Sequence, residues 1–364
     1  MFRPLAKGDR TSCVRVLGVV LGLVIGASGA ACAQSPWLYY SVTRGDAPII
    51  LTAPHGGTLS YPFNERSCTD GQACALDTNT RQLALTTSNE FYALTGLRPY
   101  VVIAQGHRRF IDLNRSSEEA YDDQLAAPYY DYYHNAIDGF VADVRQRFGR
   151  GLLMDIHGQS AEPDTILRGT LDGLSVTEML NALGEDALNG PGSVMRSFDE
   201  QGFKVYPDVD VPYAEQEEDP HFSGAYTVEA YGSNNASGID TIQLEFGYDY
   251  RGGESWRDTA AALAVAMQAY HETYLSDPIL PGDYNDDGTV DAADFTAWRD
   301  SLGGPAGSLP NSIVGGPIGM AHYDTWVAHF GDTLPLNAPI PEPMSGMLLV
   351  LGVAAGLFAF RSAR

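Results

Sequence analysis

The chain has 364 residues, 44% of them hydrophobic, and carries 46 acidic against 22 basic side chains for a formal net charge of −24. That length can bury at least one large core, and the hydrophobic fraction is that of an ordinary globular protein. The acidic balance argues against nucleic acid or an anionic membrane surface as a partner, because phosphate binding needs clustered Lys and Arg.

At the N-terminus, Arg3, Lys7, Arg10 and Arg15 accompany the apolar run "VLGVVLGLVIGASGA", and Ala31 and Ala33 form an A-x-A cleavage signal before Gln34. Residues 1–33 therefore read as a secretory signal peptide, which places the protein in the cell envelope or outside the cell. Cys32 allows a lipoprotein reading, but Gly29 stands where a larger aliphatic residue is usual. Two of the four cysteines, Cys13 and Cys32, fall in this segment, which leaves Cys68 and Cys74 as a close pair. In an exported protein such a pair predicts a small disulfide-bonded loop, and its spacing is not that of a zinc finger.

From residue 34 to 276, continuously apolar runs alternate with helix-like stretches. Strands are predicted over 47–52, 100–104, 151–156 and 240–246, and helices over 78–95, 129–148, 175–188 and 256–275, where apolar residues recur at three- and four-residue spacing. This pattern predicts an α/β domain with a mixed, largely parallel sheet flanked by helices. The tyrosine-rich start of the second helix reads as an aromatic packing face, and the Gly-, Pro- and acid-rich segment 190–238 as long loops around a site.

A linker at 277–282 precedes "DYNDDGTVDAADFTAW", in which Asp283, Asn285, Asp287, the Thr289 carbonyl, Asp291 and Asp294 occupy positions 1, 3, 5, 7, 9 and 12 of a calcium loop. Gly288 supplies its sharp turn. The stretch resembles the dockerin type I repeat, and residues 283–332 have room for two copies. The second copy keeps the helix pattern at a 28-residue offset, Trp326 answering Trp298, but carries Gly319 and His322 in place of Asp291 and Asp294. The resemblance therefore implies a small α-helical module with one Ca2+ site and a protein partner.

A second linker, 333–343, holds "PEP", and residues 344–364 contain "MLLVLGVAAGLFAF" followed by Arg361 and Arg364. The apolar run is shorter than the roughly 20 residues of an ordinary spanning helix. Pro-Glu-Pro, apolar segment and basic end together resemble the PEP-CTERM sorting signal of bacterial envelope proteins, which implies processing by a sorting protease or transpeptidase. The alternative is a plain C-terminal membrane anchor.

Each predicted strand of the first domain leads to polar residues: His55 after the first, His107, Arg108 and Arg109 after the second, Asp155 and His157 at the third, and Glu245 in the fourth. Ligands of open α/β sheets bind at the carboxyl ends of strands, so these clusters suggest one shared site. Two imidazoles and a carboxylate make a catalytic zinc site, and a separate carboxylate can then take a proton from water. His55 and His157 are the candidate nitrogens; Asp77 could be the third ligand or could cap the helix beginning near residue 78. Asp155, two residues before His157 on the same strand side, could accept a hydrogen bond from its ring. The Gly56-Gly57 turn would give a metal close access to the backbone.

In order, "APHGGTLSYP", "RRFIDLNR", "LLMDIHG" and "IQLEF" resemble the motifs of the N-formylglutamate amidohydrolase family, a branch of the zinc carboxypeptidase and aspartoacylase group, over about residues 47–250. The resemblance implies zinc-dependent hydrolysis of an N-acyl amino acid, with His55 and His157 as ligands and Glu245 as general base. Arg108, Asn114 and Arg115 would grip a substrate carboxylate or polarise the scissile carbonyl, with Arg109 as an alternative to Arg108. The related branches place a Glu three residues after the first His, where this chain has Thr58; Asp77 is nominated instead, ahead of Glu65. Other functions compatible with the sequence are a metal-dependent carboxypeptidase, a peptidoglycan amidase, or a non-catalytic binding protein of the cell surface.

Overall fold

A computed structural model describes residues 35–69, 73–276, 280–305, 307–314 and 316–333. The expected signal peptide and C-terminal sorting segment, with residues 277–279 of the first linker and 334–343 of the second, lie outside the described residues.

Seven strands form one sheet: β1 (Tyr40–Thr43), β2 (Ile49–Ala53), β3 (Tyr100–Ala104), β4 (Leu152–Gly158), β5 (Ile166–Gly169), β6 (Val205–Tyr206) and β7 (Asp240–Phe246), in the order β1-β3-β2-β4-β7-β5-β6. The central strands β3, β2, β4 and β7 are mutually parallel. At the flanks, β1 is antiparallel to β3 and β5 antiparallel to β7. The first domain contributes α1 (Thr80–Thr95), α2 (Ala127–Phe148), α3 (Thr177–Ala182), α4 (Asp186–Asn189), α5 (Val194–Glu200), α6 (Tyr226–Tyr231), α7 (Tyr248–Arg251) and α8 (Trp256–Tyr270).

Every residue of β2, β3 and β7 is buried, which follows from helices covering both faces of a parallel sheet. Ile49, Leu51, Met154, Ile156, Leu244 and Phe246 face one core, packed by α1 and α8. Ile50, Val102 and Leu153 face the other, where α2 lays down Tyr129, Tyr133, Ile137 and Val141. Along β2, β4 and β7 this second face turns polar towards the carboxyl ends. Thr52, Asp155 and Gln243 stand side by side in register, and His157 stands beside Glu245.

Several local expectations are corrected. The helix expected over 175–188 is broken into a 3-10 turn, α3 and α4, because Gly184 takes a left-handed φ of 79° after α3. The segment expected to be loop contains α5, whose N-terminus is capped by the Ser193 side chain accepting from the Arg196 N–H, and also α6. Strand β5 escapes an apolar pattern because it holds Arg168, buried against Glu218 Oε1 at 3.2 Å and Asn189 Oδ1 at 2.8 Å.

Residues 280–333 carry α9 (Ala292–Asp300) and α10 (Met320–His329) around Tyr284, Trp298, Leu309 and Ile318. Trp298 Nε1 donates to the Gly319 carbonyl at 3.0 Å, and Trp326 Nε1 donates to the Asp291 carbonyl at 2.7 Å. Both donors and both acceptors are related by the 28-residue offset, so the two halves exchange equivalent bonds.

Candidate metal centre

His55 lies two residues beyond β2, and His157 lies inside β4. Their Nδ1 atoms are 3.1 Å apart. Asp77 Oδ2 completes a triangle, 3.4 Å from the first and 3.6 Å from the second. All three residues are buried, and among the described residues this is the one such trio whose ligand atoms lie within 4.8 Å of one another. Donors about 2.0–2.2 Å from a tetrahedral zinc stand roughly 3.3–3.6 Å apart; the two sides to Asp77 match this and the Nδ1–Nδ1 side is slightly shorter.

The outer nitrogens explain why the inner ones converge. His55 Nε2 is 2.6 Å from Asp112 Oδ1, and His157 Nε2 is 2.7 Å from Asp155 Oδ2. A carboxylate can only accept, so each Nε2 carries the proton and each Nδ1 turns a lone pair inward. Asp155 is itself held by Thr52 Oγ1 at 2.5 Å. Arg108 spans the remaining carboxylates, with Nη1 3.2 Å from Asp77 Oδ1 and Nη2 2.7 Å from Asp112 Oδ2.

Burial alone would raise the Asp77 carboxyl, but contact with His157 and His55 and the charge of Arg108 hold it well below the usual carboxylate range. Asp112 is held down in the same way, burial being overridden by His55 and Arg108. Burial pushes Glu245 up to about 7, against the pull of His157. Four buried carboxyl groups, on Asp77, Asp112, Asp155 and Glu245, thus meet three buried guanidinium groups, on Arg66, Arg108 and Arg251. Three convergent lone-pair donors beside the remaining negative charge are what a divalent cation neutralises, so these residues fit a bound metal ion.

Asp77 is not a helix cap: α1 starts after Asn79, and the Asp77 side chain turns to the histidines, Arg108 and the Gly158 N–H, which is 3.2 Å from Oδ2. Glu65 is exposed and pairs with exposed Arg109 at 3.6 Å. Glu245 is the register partner of His157 and accepts from Gln243 Nε2 at 3.1 Å. The Asn114 amide is buried, donating to Gln243 Oε1 at 3.2 Å and accepting the Thr227 N–H at 2.7 Å. Arg115 is half-buried, with Nη1 2.9 Å from the Asn114 carbonyl oxygen.

The Gly-Gly turn serves packing and not metal access. A Cβ on Gly56 would stand 2.3 Å from the Arg81 nitrogen of α1, and one on Gly57 2.3 Å from the carbonyl carbon of Gln105. Cys68 and Cys74 form a disulfide. In the second module Asp283 accepts the Asp287 and Gly288 N–H groups at 3.0 and 2.7 Å, and Asp294 accepts those of Asn285 and Asp291 at 3.0 and 2.7 Å.

Sequence reasoning overlooks Asp112 and Arg66. Asp112 lies between buried Ile111 and Leu113 in "FIDLNR", and a lone acid in an apolar setting is the signal that could have found it.

No protein-family model matches the chain, and no curated protein matches it. Among solved structures it is similar to an N-formylglutamate amidohydrolase from Ralstonia eutropha JMP134, at 16% identity and a TM-score of 0.45, covering 65% of this chain and 98% of that one. A bacteriophage poly-gamma-glutamate hydrolase matches at 15% identity and a TM-score of 0.34, covering 64% and 90%. The CwlD amidase from Clostridioides difficile, solved in complex with the GerS lipoprotein, matches at 15% identity and a TM-score of 0.30, covering 62% and 99%.

Proposed function

We propose that the protein is an exported, zinc-dependent amidohydrolase that cleaves the amide bond of an N-acyl amino acid. The observation that carries this reading is the convergence of His55 Nδ1, His157 Nδ1 and Asp77 Oδ2 beside Glu245, with each outer imidazole nitrogen held by its own aspartate. Motifs in the order of the N-formylglutamate amidohydrolase family support the choice of bond.

Zinc, when bound, supplies a Lewis acid and lowers the pKa of its water to about 7. Glu245, raised to about 7 by burial, takes a proton from the attacking water at neutral pH and returns it to the leaving amine nitrogen. Arg115 uses Nη1 on the Asn114 carbonyl and offers the rest of its fork to a substrate carboxylate or to the developing oxyanion. Arg108 holds Asp77 and Asp112 in place. The loop from Asp283 to Asp294 would bind one calcium ion and serve attachment to a protein partner, and the C-terminal segment would be processed during sorting.

The test is elemental analysis of the purified full chain with the variants His55→Ala and His157→Ala, followed by a screen of N-acyl amino acids against peptides and peptidoglycan fragments. About one zinc per chain, lost in both variants, with hydrolysis of an N-acyl amino acid, is the expected result. A folded chain that takes up no stoichiometric metal when supplied with zinc overturns the reading. Cleavage confined to peptides or peptidoglycan fragments assigns the same centre to a different substrate class.

A further inference from the structure

The three ligand residues are carried differently. His157 lies in β4 and His55 follows β2 by two residues, whereas Asp77 lies within residues 61–79, where the described residues form no helix or strand. The approach to Asp77 is tied down early: Asn64 N and Nδ2 donate to Asp123 Oδ2 at 3.0 and 2.9 Å, the Arg66 N–H to the Arg109 carbonyl at 2.8 Å, and the Ser67 N–H to Asp122 Oδ2 at 2.7 Å. The disulfide from Cys68 to Cys74 transmits this anchorage to a point three residues before Asp77. Cys68 adopts a left-handed φ of 51°, a backbone that residues with a Cβ take only when their surroundings impose it.

Arg66 links the same loop to the other side of the centre. Its buried Nη1 lies 3.4 Å from the Ala73 carbonyl oxygen, beside Cys74, and 3.5 Å from Asp112 Oδ2, the carboxylate that orients His55. A loop closed by a disulfide thus places one metal ligand and braces the partner of a second.

We propose that the Cys68–Cys74 disulfide is a positioning device for the metal centre, holding Asp77 against the two imidazoles and, through Arg66, holding Asp112 behind His55. It rests on the metal reading above. A cross-link that removes freedom from the ligand carried farthest from any strand lowers the ordering cost of binding the ion. Arg108, the Gly158 N–H and the start of α1 also hold Asp77, so the bond tunes affinity without being indispensable.

The test compares zinc affinity, by competition with a chromophoric chelator, in the full oxidised chain, in Cys68→Ser/Cys74→Ser and in Arg66→Gln. Serines remove the link without freeing thiols that would themselves take zinc. The expected result is one zinc in each, with the dissociation constant raised about 10- to 100-fold in the double variant and in the same direction in Arg66→Gln. A bond that only stabilises the fold would lower the melting temperature of the zinc-free chain and leave the dissociation constant unchanged. That outcome overturns this proposal and leaves the metal reading standing; no zinc uptake by the oxidised chain sinks both. Should the double variant fail to fold, Arg66→Gln decides, and an unchanged dissociation constant there overturns the proposal.

Discussion

His55 and His157 offer each other the same ring atom, Nδ1 to Nδ1 at 3.1 Å, because Asp112 and Asp155 each hold the opposite nitrogen, at 2.6 and 2.7 Å. The consequence is a pair of fixed tautomers whose lone pairs meet at one point beside Asp77 Oδ2. Two lone pairs and a carboxylate oxygen so close repel one another unless a cation or a proton lies between them. His157 shows the demand: burial disfavours its protonation, yet Asp155, Asp77 and Glu245 raise its pKa well above the ordinary value.

On the proposed metal reading, the aspartates behind the rings are expected to set metal affinity. Asp112→Asn keeps the size and an acceptor oxygen but loses the negative charge that holds the His55 Nε2–H in place. Zinc affinity is expected to fall about 10- to 100-fold with the fold intact, and Asp155→Asn to act in the same direction. Chelator competition on the two variants checks this, and affinities equal to the native chain's would mean that the carboxylates serve packing alone.

Glu245 is expected to separate chemistry from metal binding. It stands beside His157 in register but is not one of the three converging donors. Glu245→Gln should retain zinc and lose hydrolysis by about 100- to 10,000-fold, the range for a positioned general base. Elemental analysis and turnover measured on one preparation give the answer. Loss of zinc in the variant would make Glu245 a ligand, and unaltered turnover would remove it from the chemistry.

How much of this was readable in the chain depends on what carries each residue. His157, Asp155 and Glu245 are readable because the two-residue period of a strand puts alternate side chains on one face, and apolar runs locate those strands. His55 follows such a run directly. Asp77, Asp112 and Arg66 belong to irregular segments, where no period fixes direction and only tertiary contacts bring them inward. Arg168 hides β5 for a related reason: a charge buried with Glu218 reads, along the chain, as a surface position.

A second buried carboxyl should appear in the pH dependence of stability. Asp240 at the start of β7 accepts from the Met179 N–H at 2.9 Å and Ser233 Oγ at 2.7 Å. Burial first, then the nearby Glu178, push it up to about 7. An acid whose folded pKa exceeds its unfolded value of about 3.9 contributes stability in full below that value and loses it as pH rises through the folded pKa. The melting temperature should therefore fall between about pH 4 and 7, by the equivalent of a few kcal/mol at most. Asp240→Asn, which keeps the acceptor oxygen, should flatten that slope; an unchanged slope would mean that other groups cause it.

The two halves of the second module should part company over calcium. In the first, Asp294 accepts the Asp291 N–H at 2.7 Å while sitting at the last ligand position of the loop. In the second, His322 Nδ1 does the same for the Gly319 N–H at 3.2 Å, so that helix start is capped without a carboxylate. The full chain is expected to bind one calcium ion here, and Asp294→Ala to abolish it. His322→Ala should leave calcium binding in place and cost about 1 kcal/mol, the loss of a helix cap, with or without the ion. Calorimetric titration with calcium, with zinc saturated beforehand, distinguishes these outcomes. Two equivalent calcium ions per chain would mean that the second loop recruits ligands other than the carboxylates it has lost.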